Sequence, residues 1–596
     1  MPFVSQAVSP ISLDGVWRFD LDPSDVGGND ITTDTPSVLS LYDRYWYLRE
    51  DYKAYTERGK VKVPFLSQPM RHYGRVAGTH AIVYNVRAFG AKGDGKNLDS
   101  PSINKAIEAA AAAGGGTVIF RAGTYLSVSI RLRSNITLQL EHGATILAAD
   151  VVPGKITYDL PEPNGWDMYQ DFGHSHWQNS LIWGIGLENV SIVGPGLING
   201  KGLTRRSPRA RRVNQPGDRP VTLGGQSPLG EDDDAKVMNG LGNKAISLKL
   251  SRNVLLRDFS ILNGGHFALL ATGVDNLTID NVRVDTNRDG FDIDSCRNVR
   301  ISNCSVNSPN DDAIVLKSSY ALGFARATEN VTITNSLVSG YDIGSLLDGT
   351  FKRNITEAPD RDGPTGRVKL GTESNGGFKN ITISNLVFDH CRGLALETVD
   401  GGLLEDVTIT NITMRDVSNS PLFLRLGKRM RGPAGTAIGQ LRRVNISNIV
   451  AYNADPRYAS IIAGIPEHQV ESVFLNNIQI YYRGGGSKKD YTDLPPPERE
   501  ANYPEPSMFG EIPAYGFFIR HAKGITLSNV RISYLSDELR PPFVLQDVNG
   551  VEFDHVTAQR AKDVPAFFFR NVLDFITHDF KGLPDTRLDR VELGKL

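Results

Sequence analysis

A right-handed parallel β-helix is the fold class this 596-residue sequence predicts, and three observations predict it. A short phrase recurs along the chain: "NVSIVG" at Asn189, "NLTIDNVRV" at Asn276, "NVRISNCSV" at Asn298, "NVTITNSLV" at Asn330, "NITISNLVF" at Asn380 and "GITLSNVRI" at Gly524. Within each copy, apolar and polar residues alternate with a period of 2, which is the period of a strand. The tightest copies are 22 to 26 residues apart, so each unit holds only short strands and must stack on its neighbours to bury an apolar face. The recurrent asparagine suits a corner between strands, where a left-handed backbone is needed and the amide can bond the next coil. An all-helical solenoid conflicts with the β-branched alternation, and a propeller needs about four strands per 40–50 residues.

The remaining elements follow in chain order. Residues 1–78 contain "LDGVWRFDLDPSDVG" and "KVPF" and form a β-rich appendage. It resembles the opening strands of sugar-binding jelly-roll domains but is too short for a complete one. A stretch from about Ser102 to Ala113, stopped by three glycines, predicts an amphipathic helix that caps the open end and shields its strand edges. The β-helix is expected over 79–575, with a C-terminal tail over 576–596. Residues 201–240 lack periodicity and carry a basic then an acidic cluster; they read as a solvated loop or a lid.

Composition narrows the function. Lys+Arg 65 against Asp+Glu 67 gives no electrostatic case for nucleic acid or a polybasic membrane surface. No apolar run approaches the roughly 20 residues that span a bilayer. Cys296, Cys304 and Cys391 make neither a disulfide framework nor a spaced zinc site, so buried thiols are expected. The opening "MPFVSQAVSPISLDG" lacks a basic stretch followed by an apolar one, which leaves a cytoplasmic protein or one whose signal was removed.

The chemistry concentrates in "NRDGFDIDSCRNVRISNCSVNSPNDDAIVLKSS", Asn287 to Ser319. Residues one coil apart stack about 4.8 Å from each other. Asp311 and Asp312 follow Asp289 by 22 and 23 residues, so the three carboxylates can converge on one outer face. Crowded carboxylates raise one another's pKa, leaving one as a general acid and another as an ionised base. That pairing with a water between serves inverting glycoside hydrolysis; the bland alternative is aspartates capping turns at strand ends.

This stretch resembles the core of glycoside hydrolase family 28, the polygalacturonases and rhamnogalacturonan hydrolases of pectin breakdown. Asn287-Arg288-Asp289-Gly290 and Asn310-Asp311-Asp312 match the family's acid motifs, while "AFGAKGDG", "GGGTVIFRAGTY" and "GTESNGGFKNITISN" resemble other family segments. The resemblance covers roughly residues 80–480. It implies Asp311 as general acid, Asp289 and Asp312 activating water, no metal or other cofactor, a pectic oligosaccharide or polysaccharide as partner, and a periplasmic or secreted location. Two departures stand out. The family's Gly-His-Gly is replaced by "PTGRVKLGTES", and its Arg-x-Lys, which grips a substrate carboxylate, by Ala395 and Glu397 in "GLALETVDGG". An anionic Glu397 would repel a uronate, so a neutral sugar there, as in rhamnogalacturonan, is the expectation.

Other residues are candidates for substrate contact. Lys317, Arg367 and Lys369 can supply the displaced positive charge, although Lys317 can equally neutralise the aspartates. His266 precedes Asp289 by one coil and reads either as a satisfied core residue or as a contact. In "HSHWQNS", His174 and His176 are expected to share a strand face, with Trp177 stacking on sugar, packing in a wall, or the histidines binding metal. Asp292 and Asp294 suggest calcium, but no calcium-loop pattern follows. Two other functions compete with the hydrolase: a polysaccharide lyase on a uronate-containing glycan, and a non-catalytic glycan-binding β-helix.

Overall fold

The computed structural model describes three short strands before residue 62, and then residues 83–204, 238–358, 362–487 and 495–596. Chain contacts divide the molecule into Met1–Ala81 and Ile82–Leu596. In the first unit, Ile11–Leu13 pairs antiparallel with Trp17–Phe19 and parallel with Lys60–Val61. Residues 205–237, most of the segment read as a loop or lid, lie outside the described residues.

The second unit is a right-handed parallel β-helix. One coil shows the plan: Asp289–Asp294, Arg297–Ser302 and Ser305–Asn307 lie on successive faces, and each pairs in parallel with its counterpart in the next coil. From Thr328–Ser339 to Val470–Tyr482, the second and third strands run together as one bent strand.

The asparagines do what the repeat implies. Asn189, Asn253, Asn276, Asn298 and Asn330 all have φ between 54° and 58°. Their side chains form a ladder, each Nδ2 donating to the Oδ1 of the coil before at 3.0–3.2 Å from Asn253 to Asn330. A second ladder runs through Asn335, Asn385, Asn411, Asn448, Asn477 and Asn529 at the other corner. Asparagine tolerates the left-handed region because its amide finds local partners, and stacked amides satisfy one another coil by coil.

The interior is a column of aliphatic and aromatic side chains stacked in register, such as Phe291, Ile314, Val368, Leu394 and Leu422. The cap helix spans Ser100–Ala112 and buries Ile103, Ala106, Ile107 and Ala110 against the first coils. At the far end, residues expected as a tail instead form a strand: Thr586–Lys595 pairs antiparallel with Phe567–His578. Folding the chain end back in this way covers the last parallel edge. All three cysteines are buried free thiols.

Candidate active site

The site forms on the outer face of one stack of strands: Phe267–Thr272, Asp289–Asp294, Ile314–Ser318, Val368–Ser374, Leu394–Thr398 and Leu422–Leu426. Side chains alternate in and out, so Asp292, Val315, Lys369, Ala395 and Phe423 form one outward row. A bulge interrupts it: Leu316 pairs with Leu370 but Ser318 with Ser374, so Lys317 alone faces Gly371, Thr372 and Glu373. Bulges re-aim side chains beside active sites, and here the extra residues bring Glu373 within 3.6 Å of Lys317 Nζ.

Asp289, Asp311 and Asp312 converge as the coil spacing implies. One oxygen from each lies within 4.8 Å of the others. Asp311 is the accessible member, with 27% of its side chain exposed against 4% for Asp289 and 4% for Asp312. Arg288 Nη2 donates to Asp311 Oδ2 at 2.8 Å. Arg367 Nε donates to Asp312 Oδ1 at 2.8 Å, and Lys369 Nζ stands 3.4 Å from Asp312 Oδ2. Burial alone would raise the Asp312 carboxyl, but Lys369 and Arg367 outweigh it and hold it down at about 2. Asp289 moves the other way. Burial, then the neighbouring Asp311 charge, push it well above the ordinary carboxylate range despite Lys317 at 3.3 Å. Asp289 and Asp312 are thus unlike: their surroundings favour a proton on Asp289 and disfavour one on Asp312.

Lys317 is the hub beneath the three acids. Its Nζ lies 2.9 Å from Asp292 and also meets His174 Nε2. His174 Nε2 is 3.1 Å from Asp292 Oδ2. Burial tends to raise Asp292, and Lys317 and His174 bring it below the ordinary value. Lys317 therefore neutralises the aspartates, the second of its two sequence readings. The cluster of His174, Asp289 and Asp292 has spacing suited to a cation, but the Lys317 ammonium already stands at that position. Asp294 is turned to a structural task, accepting from Ser319 N at 2.7 Å and Ser319 Oγ at 2.6 Å.

Four sequence expectations are corrected. The "HSHW" stretch is not a strand: Phe172–Ser175 is a short helical turn, which sends the two histidines apart. His176 stacks on Phe172 and its Nδ1 meets Phe172 O at 3.0 Å, so it is satisfied locally. Trp177 is fully buried; Nε1 donates to Thr272 Oγ1 at 3.1 Å and Lys249 covers its face at 3.8 Å, leaving no face for sugar. Glu397 is also fully buried, 3.5 Å from Lys369 Nζ and 3.3 Å from Thr372 Oγ1, so it faces the protein and not a substrate. Burial, opposed by Lys369, pushes its carboxyl up to about 7. His266 is buried against the Phe267 ring, and Gly173 admits it: a Cβ there would stand 2.6 Å from the imidazole.

The sequence reading missed the residues that close the site from afar. Glu505 binds Arg367 through both carboxylate oxygens and lies 3.3 Å from Arg392 Nη1. Tyr503 receives a hydrogen bond from Lys369 Nζ at 3.1 Å. Arg429 and Arg431 approach Glu373 at 3.5 and 3.6 Å, and Arg431 also reaches Asp171 at 3.4 Å. None of these lies in a repeat, so no periodic signal marked them.

Comparison with known proteins agrees with the β-helix fold. Residues 83–154 match the family model described as rhamnogalacturonase A/epimerase, pectate lyase-like, and residues 235–358 match the right handed beta helix region. A probable polygalacturonase of Vitis vinifera is 22% identical over 431 residues, spanning 68% of this chain and 75% of that protein. An exo-poly-alpha-D-galacturonosidase of Dickeya chrysanthemi is 22% identical over 378 residues, 58% of this chain and 57% of that protein. Among solved structures, the family 28 exopolygalacturonase of Yersinia enterocolitica shares the fold with a TM-score of 0.56 at 18% identity, covering 80% of this chain and 79% of that one.

Proposed function

We propose that the chain is a family 28-like glycoside hydrolase of the pectin-active β-helix type and that it hydrolyses an α-glycosidic bond of a pectic glycan with inversion. The observation that carries this is the convergence of Asp289, Asp311 and Asp312 within 4.8 Å on one outer face. Asp311, the accessible carboxyl, faces the leaving oxygen and delivers a proton that it takes over from neighbouring Asp289. Asp312, ionised at rest, takes a proton from the attacking water. Asp289, once that proton has passed to Asp311, shares that water with Asp312. The oxygens approach more closely than in most inverting pairs, where carboxyls stand about 6.5–9.5 Å apart. Inversion is still favoured because both oxygens of Asp312 face cations, Arg367 at 2.8 Å and Lys369 at 3.4 Å, which blunts it as a nucleophile.

Within the pectic class, a rhamnogalacturonan-type substrate is preferred to homogalacturonan in this proposal. Its support is not Glu397 but the pairing of the cations around the acids. Among the described residues, each cation nearest the acids is already engaged by a carboxyl group: Arg288 by Asp311, Lys317 by Asp292, Arg367 and Lys369 by Asp312, Arg429 by Asp400 and Arg431 by Asp171. No cation of this network is left over for a uronate carboxylate, whereas a neutral sugar can use the same groups as hydrogen-bond partners. A pectic substrate also implies a secreted or periplasmic setting.

Incubation with a panel of pectic oligosaccharides, following reducing ends and ultraviolet absorbance together, tests the reading. New reducing ends without an absorbing product, and faster on rhamnogalacturonan fragments, are expected. An absorbing unsaturated product would indicate a lyase, and faster cleavage of polygalacturonate would remove the substrate preference. Proton NMR of the first product distinguishes inversion from retention.

A further inference from the structure

A stack of strands that binds a polysaccharide along an open groove leaves its outward row exposed. Here that row is buried. Lys369, Ala395, Phe423, Ile461 and Phe518, successive in register along the outer face, are each at most 1% exposed. They do not belong to the interior core. Ala395, Phe423, Ile461 and Phe518 form a separate apolar cluster with Met508, Phe509 and Ile512, which come from the segment between two strands. Polar groups fix that segment as well: Arg425 Nη2 donates to Glu498 O at 3.2 Å, Arg520 Nη1 donates to Pro496 O at 2.8 Å, and Lys428 N donates to Glu500 O at 2.7 Å. On the opposite side of the acids, Leu270 is fully buried in another separate cluster, with Trp177 and Phe267. Arg431 reaches Asp171 at 3.4 Å, and the segment carrying Arg431 meets residues 495–512 through Lys428 N and Glu500 O, which links the two covering regions.

We infer that residues 495–512 and 162–178 convert the groove into a pocket, so that the enzyme attacks a chain end and not an internal bond; this rests on the hydrolase reading above. A chain crossing the acids in both directions along the stack would have to displace the Phe509 cluster on one side and Trp177 on the other. A terminal sugar needs neither. Asp311, alone of the three acids in keeping more than a quarter of its side chain exposed, marks the mouth. Residues 495–512 are then specificity-determining, and Glu505 is a positioning residue that pins them to Arg367 and Arg392.

The test uses the full chain and pectic oligosaccharides of one length in four forms: unmodified, capped by methylation at the non-reducing end, tagged at the reducing end, and modified at both ends. The expected result is loss of one sugar at a time from unmodified substrate, with a cap at one terminus abolishing it and the doubly modified form inert. Cleavage of the doubly modified form into internal fragments would overturn the inference while leaving the hydrolase reading intact. No hydrolysis of any form would overturn both. A variant with residues 498–510 replaced by a short Gly-Ser linker should gain cleavage of the doubly modified form. If circular dichroism shows that this variant is unfolded, Phe509→Ala with Met508→Ala is the milder replacement, and the result with unaltered protein decides in either case.

Discussion

Arg367 Nε and Asp312 Oδ1 are 2.8 Å apart, with both side chains at most 4% exposed. An arginine from one coil thereby contributes, beside Lys369, to the ionisation of an aspartate on the coil before it. With Lys369, it holds Asp312 at about 2 against an ordinary 3.8. The sign follows from linkage. A lowered carboxyl contributes stability above 3.8 that is lost as pH falls through about 2.

Arg367→Met should raise the Asp312 carboxyl and move the acidic limb of kcat/KM to higher pH. Breaking a buried pair costs about 3–5 kcal/mol, so urea unfolding should show lower stability as well. Arg367→Lys should restore part of the pH profile. An unmoved acidic limb in a folded variant would show that Asp312 is not the titrating base.

Asp311→Asn should fold like the unaltered protein and lose activity by about 10²–10⁴, the usual worth of a general acid. Its amide cannot supply the proton. Substrates with a good leaving group should be hit least. Near-full activity on an ordinary oligosaccharide would remove Asp311 from the mechanism.

Glu397→Gln tests the buried carboxyl. With a folded pKa raised from 4.5 to about 7, Glu397 contributes stability below 4.5 that is lost as pH rises through 7. Ionising it costs roughly 3 kcal/mol at most by that shift. Urea midpoints measured at about pH 5 and pH 8 should therefore differ less in the variant than in the unaltered protein. Equal pH slopes would contradict the assignment.

Chelation should leave activity unchanged. The His174, Asp289 and Asp292 cluster holds the Lys317 ammonium 2.9 Å from Asp292, where a dication would be repelled. Activity lost in EDTA and regained with calcium would show that a metal displaces this lysine.

What the sequence determined by itself was whatever repeats. Alternation and a 22-residue spacing are local facts, and a coil stacked on its neighbour turns them directly into geometry. An asparagine ladder at a strand corner, the cap helix to within two residues at each end, and the meeting of Asp289 with Asp311 and Asp312 were all legible on those grounds, whereas the second asparagine ladder was not singled out. Tertiary structure decided what covers the outer face. Glu505 is 138 residues from Arg367, and His174 is 143 residues from Lys317, each delivered by a segment without periodicity. A side chain's exposure depends on such arrivals. That is why Trp177 and Glu397 read as substrate contacts and are buried instead: alternation tells which way a side chain points from its strand, and only long-range packing tells what lies there.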